Sequence, residues 1–536
     1  VGAGPAGLSL ALVLLQNNVG VRIIDKLSSY HRGQKGFGPR TLEMHHFLGT
    51  LADVRGHTFP DCPCNIYKLP GGEEVVKTFH LATPQEPTAG VPYPNTWWIG
   101  QDNHEAVLRA HLAKYGCSVE LSTELVAIDQ SPESVTVSLV KTLADGTQVS
   151  ETSSFQFVVG TDGAHSTVRK QLGLSFLGET RAKEFLTGDI YVLEGLATDC
   201  WHMWGDFSNI SMTIRPCENA GVFSISMLLK PDDQLPTTRQ EFIDRFYEFT
   251  GRRDVKFGEL VWLGKWRPNI RMVDTFHKGR VFVGGDAAHV HSPAGGQGLN
   301  SGMQDVLNLG WKLSLAVKGF AHPGLLNTYS IERFPVIAEM LRRSTNLDEK
   351  TISTGADKGQ GLERGGPLHQ LGVNYRSSPI VFDTRQPRDD GSGSNAYEAT
   401  GPLTAGDRAP NSPLLDLTSG QATSMFDLFK ATHHTVIAFT SDIPTVISAL
   451  VSLLDKYPTG ILTCCIVLPT TLEPVPQDVA LARVRVLQDI SNIGYQTYEM
   501  TAKDGDVVVI VRPDGVIGAV TSDPNGSERY FSKIIF

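Results

Sequence analysis

The chain has 536 residues, 41% of them hydrophobic and 19% charged, with 47 basic against 57 acidic side chains for a formal charge of −10. That is globular composition, long enough for about three domains, and its negative balance argues against the basic face of a nucleic-acid-binding protein. The longest apolar run, residues 8–15, is interrupted by Ser9 and falls far short of the ~20 residues of a membrane span. The 53 glycines and 30 prolines are dispersed, which predicts many tight turns and excludes a collagen-like or low-complexity chain. Seven cysteines, a low and odd number, read as reduced thiols of a cytoplasmic protein. Cys62-Pro63-Cys64 has no second pair nearby to complete a metal site. Cys464 and Cys465 sit in an apolar run, which predicts core packing.

In chain order, Val1 stands within what reads as the end of a strand, so further residues are expected upstream. Val1-Gly2-Ala3-Gly4-Pro5-Ala6-Gly7 leads into the apolar run to Leu15, and a second strand-like stretch ends at Asp25-Lys26. Gly2 permits the tight strand-to-helix turn, Gly4 lets a pyrophosphate approach the backbone, and Gly7 lets the helix pack close to its strand. The helix N-terminus that follows offers unpaired N–H groups and a positive dipole end to phosphates. Asp25 can accept hydrogen bonds from ribose hydroxyls. Together these predict a dinucleotide site contacted by Gly2, Gly4, Pro5, Ala6, Gly7, Asp25 and Lys26, without separating FAD from NAD.

Further along, Gln101-Asp102-Asn103-His104-Glu105 begins a helix, with Asp102 and Glu105 at capping-box spacing. Residues 155–160 form an apolar strand ending in Thr161-Asp162-Gly163. Residues 281–285 form another, ending in Gly285-Asp286. After it come His289-Val290-His291-Ser292-Pro293-Ala294, then Gly295-Gly296-Gln297-Gly298-Leu299-Asn300 and a helix running towards Leu315. Two histidines so spaced could form a metal pair; with no third ligand in view, structural loop histidines and no metal are expected. Between the two strands, residues 207–228 alternate, with Ile210, Met212 and Ile214 facing one way and Phe223, Ile225 and Met227 repeating the pattern. Period two predicts a sheet with one buried face, a layer that covers substrate. Residues 344–406 turn polar and glycine-rich, with DDGSGS at 389–394, and read as a linker with a short ordered piece at 373–382. From 407 the apolar segments resume, at 435–440, 460–468 and 507–511, predicting a small α/β domain.

The three glycine-bearing segments, in this order, resemble the fingerprints of the single-component FAD-dependent aromatic hydroxylases, the para-hydroxybenzoate hydroxylase and phenol 2-monooxygenase superfamily. The resemblance implies an α/β fold: a Rossmann-like FAD-binding domain interleaved with a β-sheet substrate domain, plus a C-terminal thioredoxin-like domain. Its boundaries fall at 1–180 for the first FAD-binding part (with 60–100 contributing to the substrate layer), 181–270 for the substrate sheet and 271–345 for the second FAD-binding part. A linker at 346–405 and the thioredoxin-like domain at 406–536 complete the chain. By the same resemblance Asp162, Gly285 and Asp286 bind FAD, Asp286 through ribityl or ribose hydroxyls. The turn Gly295, Gly296, Gln297, Gly298, Leu299, Asn300 would aim N–H groups at the flavin pyrimidine ring, where reduced flavin carries negative charge. Pro293 would border the flavin edge. Gly38-Pro39-Arg40-Thr41-Leu42-Glu43 resembles the stretch whose Arg reaches the FAD pyrophosphate or flavin, a task suited to a guanidinium. Gln101 would contact the ribityl chain. Gly406-Asp407-Arg408-Ala409-Pro410 and Val511-Arg512-Pro513-Asp514-Gly515 resemble the thioredoxin-like domain of the phenol hydroxylase branch. Without Cys-x-x-Cys it is expected to be structural and to serve subunit contacts in a homodimer.

The implied activity is an NAD(P)H- and O2-dependent monooxygenation of a small phenolic substrate through a flavin C4a-hydroperoxide, as ring hydroxylation or with oxidative decarboxylation. Relatives carry an acid a few residues before the flavin-contacting Arg; here Gln34-Lys35-Gly36-Phe37-Gly38-Pro39-Arg40 has none. Tyr191, His202 and Arg215 are the remaining candidates for a catalytic or substrate-base role beside Arg40 and Pro293. Trp201 and Trp204 either line an aromatic pocket or pack in the core. Two alternatives keep the fold. One is a flavin-dependent halogenase, epoxidase or reductase, although Trp97-Trp98-Ile99-Gly100 does not match the halogenase Trp-x-Trp-x-Ile-Pro. The other is a non-catalytic binding protein.

Overall fold

The computed structural model describes residues 1–181, 184–205, 210–228, 233–292, 295–354, 365–385, 395–470, 483–500, 505–523 and 525–536. Its nucleotide half is a parallel sheet built around the first residues. Gly2 N–H donates to Ile24 O (2.8 Å), Val1 N to Val159 O (2.8 Å) and Thr161 N–H to Val1 O (2.8 Å). Outward from this seam, Ile23–Ile24 runs parallel to Val119–Glu120, and Val158–Gly160 parallel to Val281–Val283. The strand Val281–Val283 is buried throughout, as a strand covered on both faces requires. Helix Pro5–Gln16 packs on the long helix Gln297–Val317. The two approach closely at Gly310, where a Cβ would stand 2.7 Å from Val13 Cγ1.

The substrate layer is a seven-stranded sheet in the order Lys256–Trp266, Phe185–Glu194, Val222–Leu228, Ser211–Pro216, Trp201–Gly205, Cys64–Tyr67, Val75–Phe79. The period-two reading of its centre holds: Met212, Ile214, Phe223, Ile225 and Met227 share one core cluster with Phe242, Ile243 and Phe246 of helix Arg239–Thr250. That helix starts at a capping box between Thr238 and Glu241 and stops at Gly251, whose φ of +78° suits glycine. The opposite face of the sheet turns towards the nucleotide half. Residues 64–79 do contribute two strands to this layer.

The C-terminal unit is an eight-stranded mixed sheet. His434–Phe439, Leu462–Leu468 and Val484–Gln488 form its parallel centre, and Val507–Val511 and Ile517–Thr521 form an antiparallel hairpin beside it. Cys464 and Cys465 are buried in the middle strand. The polar stretch before this sheet is not a solvated linker where it is described. Helix Thr328–Thr354 runs straight out of the nucleotide half with Pro335 inside it, and Val373, Tyr375, Ile380, Val381 and Tyr397 are buried. Composition misled here because a few aromatic and aliphatic anchors suffice to pin a polar segment to a core already formed. The segment DDGSGS lies outside the described residues. No described helix is long and apolar enough to cross a membrane.

Candidate active site

The parallel strands end at one edge, and there a cavity of about 310 Å³ opens between the nucleotide half and the start of helix Gln297–Val317. Gly2, Gly4, Pro5, Ala6, Asp25, Lys26, Gln101, Asp162, Gly285, Asp286, Gly298 and Leu299 all line it. The first glycines divide their work as the turn demands. A Cβ on Gly2 would lie 2.4 Å from Thr161 O and one on Gly7 2.0 Å from Gly2 O, whereas one on Gly4 would meet no protein atom within 4 Å. Gly2 and Gly7 therefore serve the fold, and Gly4 keeps space clear at the helix N-terminus, where unpaired N–H groups favour an anion. Asp25 is set by two backbone donors, Ala3 N–H to Oδ2 (2.8 Å) and Leu27 N–H to Oδ1 (2.9 Å), and still has lone pairs for hydroxyl donors.

At the far end, Gly285 takes a φ of +58° and donates its N–H to Asp305 Oδ2 (3.0 Å). Asp305 is fully buried and also holds His289 Nε2 at 2.6 Å and receives Arg333 Nε at 2.7 Å. His289 is thus part of a structural network, and His291 Nδ1 lies against Ser292 O (2.5 Å). Asp286, next to this rigid corner, is exposed to the cavity and has no hydrogen-bond partner among the described residues. Asp162 is committed locally: it accepts from Ser166 Oγ (2.5 Å), Thr167 N–H (2.7 Å) and Val168 N–H (3.2 Å). Arg169 ties the two acid-bearing segments together by donating to Ala287 O (2.9 Å) and Ala164 O (2.7 Å).

Helix Gln297–Val317 begins at Gly296, whose φ is +63°. The polar side chains of its first turn, Gln297 and Asn300, are committed to protein partners, while Leu299 lines the cavity. Gln297 donates to Gly295 O (2.6 Å) and Leu368 O (2.9 Å). Asn300 donates to Gly36 O (2.9 Å) and Gly296 O (2.7 Å) and accepts from Gly38 N–H (2.9 Å) and Thr41 Oγ1 (2.6 Å). What this turn offers a ligand is its backbone N–H groups. Pro293 lies outside the described residues.

Several expected site residues stand elsewhere. Arg40 does not line the cavity: its guanidinium donates to Glu43 Oε2 (2.7 Å) and Asp514 O (2.7 Å) and is 4% exposed. Helix Pro39–Phe47 presents it to the C-terminal unit, so its charge is spent at that interface. Gln101 keeps its place, with Nε2 donating to Glu105 Oε1 (2.8 Å); the capping box does not form, because Gly100 is the N-cap and Glu105 turns inward. His202 lies on the helix-facing side of the substrate sheet, stacked on Tyr67 and bonded to its hydroxyl (2.7 Å). Trp204 is fully buried on that same side. Tyr191 is 38% exposed.

Arg215 does face the nucleotide half. Its Nη2 donates to Gln34 Oε1 (3.3 Å), and its guanidinium lies 4.2 Å from the Trp98 ring and 5.3 Å from the Trp201 ring. Gln34 precedes the cavity residue Lys35, and Glu218 links the same corner by accepting from Gly100 N–H (2.6 Å), Asn103 Nδ2 (2.7 Å) and Gln34 Nε2 (3.2 Å). Sequence reasoning missed Asp189 on this face. It is bonded to the Trp262 indole, and burial raises its carboxyl above the ordinary range. A signal existed, since Asp189 is a lone acid in the middle of its strand, beside the core residues Ile190 and Val192.

The donor set fits a dinucleotide carrying a flavin: a clear helix N-terminus for phosphate, two acids for hydroxyls, and a second helix N-terminus for a ring that gains negative charge. Known proteins agree with this. The FAD binding domain family matches residues 1–344. A flavin-dependent monooxygenase of Mycobacteroides abscessus is 32% identical over 100% of this chain and 99% of its own. Pentachlorophenol 4-monooxygenase of Sphingobium chlorophenolicum is 31% identical over 82% of this chain and 78% of its own. Among solved structures, the flavin-dependent monooxygenase PieE in complex with FAD and substrate is similar with a TM-score of 0.82 at 19% identity, over 99% of this chain and 98% of that one. Aklavinone-11 hydroxylase with FAD and aklavinone follows at 0.79 and 23%, over 99% and 97%. At those identities the structural likeness speaks for the fold.

Proposed function

This chain belongs to the FAD-dependent aromatic hydroxylases and is a flavoprotein monooxygenase, and from that premise we propose that its cavity holds FAD along its length and delivers oxygen to a phenolic substrate under the seven-stranded sheet. The observation that carries this reading is the cavity edge shared by Gly4, Asp25, Asp162, Asp286 and Leu299, drawn from three segments far apart in the chain. When bound, FAD supplies two-electron reduction by NAD(P)H and the activation of O2.

The chain's own residues do the rest. The N–H groups after Gly4 neutralise the pyrophosphate, and Asp25 accepts from the ribose nearest it. Asp286, without a hydrogen-bond partner among the described residues, would accept from the remaining hydroxyls. Backbone N–H groups opening helix Gln297–Val317 stabilise negative charge on the pyrimidine edge. The packed sheet above keeps bulk water from the reacting atoms.

The C-terminal sheet is read as thioredoxin-like, supported by its parallel centre and adjoining hairpin, and as the subunit contact of a homodimer. The aromatic substrate class is supported by the substrate that the name of a 31%-identical relative states, pentachlorophenol. The test is reconstitution with FAD followed by NAD(P)H oxidation under 18O2, with and without phenols and hydroxybenzoates. Stimulation of flavin reduction by at least one phenol, with one labelled oxygen in its product, is the expected outcome. NAD(P)H oxidation that yields only H2O2 with every phenol would overturn it.

A further inference from the structure

A row of side chains crosses the substrate sheet in register. Trp262 stands opposite Asp189, Asp189 opposite Ser224, and Ser224 opposite Arg215. The next strand continues the row, because the pairing of His202 with Ile214 sets Trp201 beside Arg215. All of them leave the sheet on the face turned to the nucleotide half, since the alternating residues Ile190, Phe223, Ile225 and Ile214 pack on the other side. Three polar atoms of this row, Asp189 Oδ1, Arg215 Nη1 and Trp201 Nε1, are buried without a hydrogen-bond partner among the described residues. Buried polar atoms are nearly always paired, so three in one row call for a common explanation.

They do not satisfy one another. Asp189 and Arg215 are two strands apart, which separates their Cα atoms by roughly 9–10 Å. Each is already held by another neighbour: Asp189 Oδ2 accepts from the Trp262 indole N–H, and the Arg215 guanidinium is fixed by Gln34 and lies against Trp98. The result is two polar side chains, 7% and 4% exposed, each locked in place with one atom to spare. Trp262, Trp98 and Trp201 supply flat apolar surface around them, matched to an aromatic ring. Gln34 joins this strip directly to Lys35 on the cofactor cavity.

We propose that this row orients the substrate: Asp189 Oδ1 accepts the hydrogen bond of a ring hydroxyl, while Arg215 Nη1 and Trp201 Nε1 donate to a carbonyl or carboxylate oxygen of the same molecule. The proposal rests on the monooxygenase reading above and narrows its substrate class to hydroxylated aromatic acids and ketones, in preference to simple phenols. Burial, which disfavours the charged carboxylate at Asp189, makes a donated hydrogen bond there more valuable than at an exposed acid.

The test is calorimetric binding to the oxidised FAD-loaded protein without nicotinamide. Two ligand trios serve: 3-hydroxybenzoate, benzoate and phenol, and 3-hydroxy-2-naphthoate, 2-naphthoate and 2-naphthol. In at least one trio the bifunctional ligand is expected to bind tenfold or more tightly than either partner. Asp189→Ala is expected to shrink the preference for the hydroxyl below threefold while keeping that for the carboxylate, and Arg215→Gln to do the reverse. No bifunctional preference in either trio overturns the proposal, as do variants that leave both preferences within twofold of the parent. Should a variant lose its FAD, the ranking on the parent protein decides alone. Failure of the monooxygenase reading would show separately, as a parent protein that oxidises NAD(P)H without oxygenating any phenol.

Discussion

Gly4 and Gly7 sit three residues apart in one motif, yet they answer to different forces. Gly7 would drive a Cβ to within 2.0 Å of Gly2 O, so the close packing of helix on strand depends on its missing side chain. Gly4 has ordinary extended dihedrals and open space before it. Gly7→Ala is therefore expected to cost about 3 kcal/mol of folding stability, at the top of the usual range of core overpacking. Gly4→Val should stay within about 1 kcal/mol of the parent while weakening FAD at least tenfold, because only the ligand occupies that space. Urea unfolding paired with a FAD fluorescence titration separates the two. Equal effects of both substitutions on stability would refute the division.

At the scale of the element, the start of helix Gln297–Val317 is held by Asn300, whose amide makes four hydrogen bonds to Gly36, Gly38, Thr41 and Gly296. One side chain thereby fixes the strand Gln34–Phe37, the helix Pro39–Phe47 and its own first turn relative to one another. With each buried bond worth about 1 kcal/mol net, Asn300→Ala is expected to cost roughly 2–4 kcal/mol. Faster amide exchange at Gly38 should accompany it, since that N–H loses its acceptor. A variant as protected as the parent at Gly38 would show that the strand holds its place without this amide.

The whole molecule is joined by charge buried between the nucleotide half and the C-terminal sheet. Glu332 receives Lys312 Nζ (2.7 Å) and both terminal nitrogens of Arg512 (2.8 and 2.9 Å), and Asp514 completes the network through Arg512 Nε (3.0 Å). Arg40 and Arg408 add a second bridge through Glu43 and the Asp514 carbonyl. Glu332→Ala leaves two buried cations without their main partner and is expected to cost about 3–5 kcal/mol, read from the denaturation midpoint. Parent-like stability would mean that the Glu332 network adds nothing to the docking of the two units.

Acid should loosen the same assembly. Burial pulls His45 and His434 down to about 3 and His104 well below its ordinary value, so the folded protein keeps all three neutral. The unfolded chain protonates them below about 6.5. Their contribution is thus fully present above that pH and is lost as pH falls towards 3. Each adds up to about 1.4 kcal/mol per pH unit to the slope. His434→Gln is expected to flatten the stability profile between pH 6 and 4 by about that amount, and an unchanged slope would sink the assignment.

From the residues alone came a dinucleotide site at Gly2, Gly4 and Asp25, and the resemblance to a known family that the motifs carry added the class of fold, the flavin cofactor and the cavity-lining Gln101, Asp286 and Leu299. All of these depend on local chemistry: a glycine turn before a helix and an acid at a strand end read the same wherever the chain later goes. What the residues could not disclose is where a side chain points once strands pair. Arg40 matched its motif, yet helix packing turned it to the C-terminal unit, and His202 alternated onto the helix-facing side of its strand. Asp189, Ser224 and Arg215 became neighbours only through strand register, which couples residues tens of positions apart and is set by burying one face of the sheet. The polar stretch before the C-terminal sheet was likewise decided by partners elsewhere, since Tyr375 and Tyr397 gain their burial from a core that composition does not reveal.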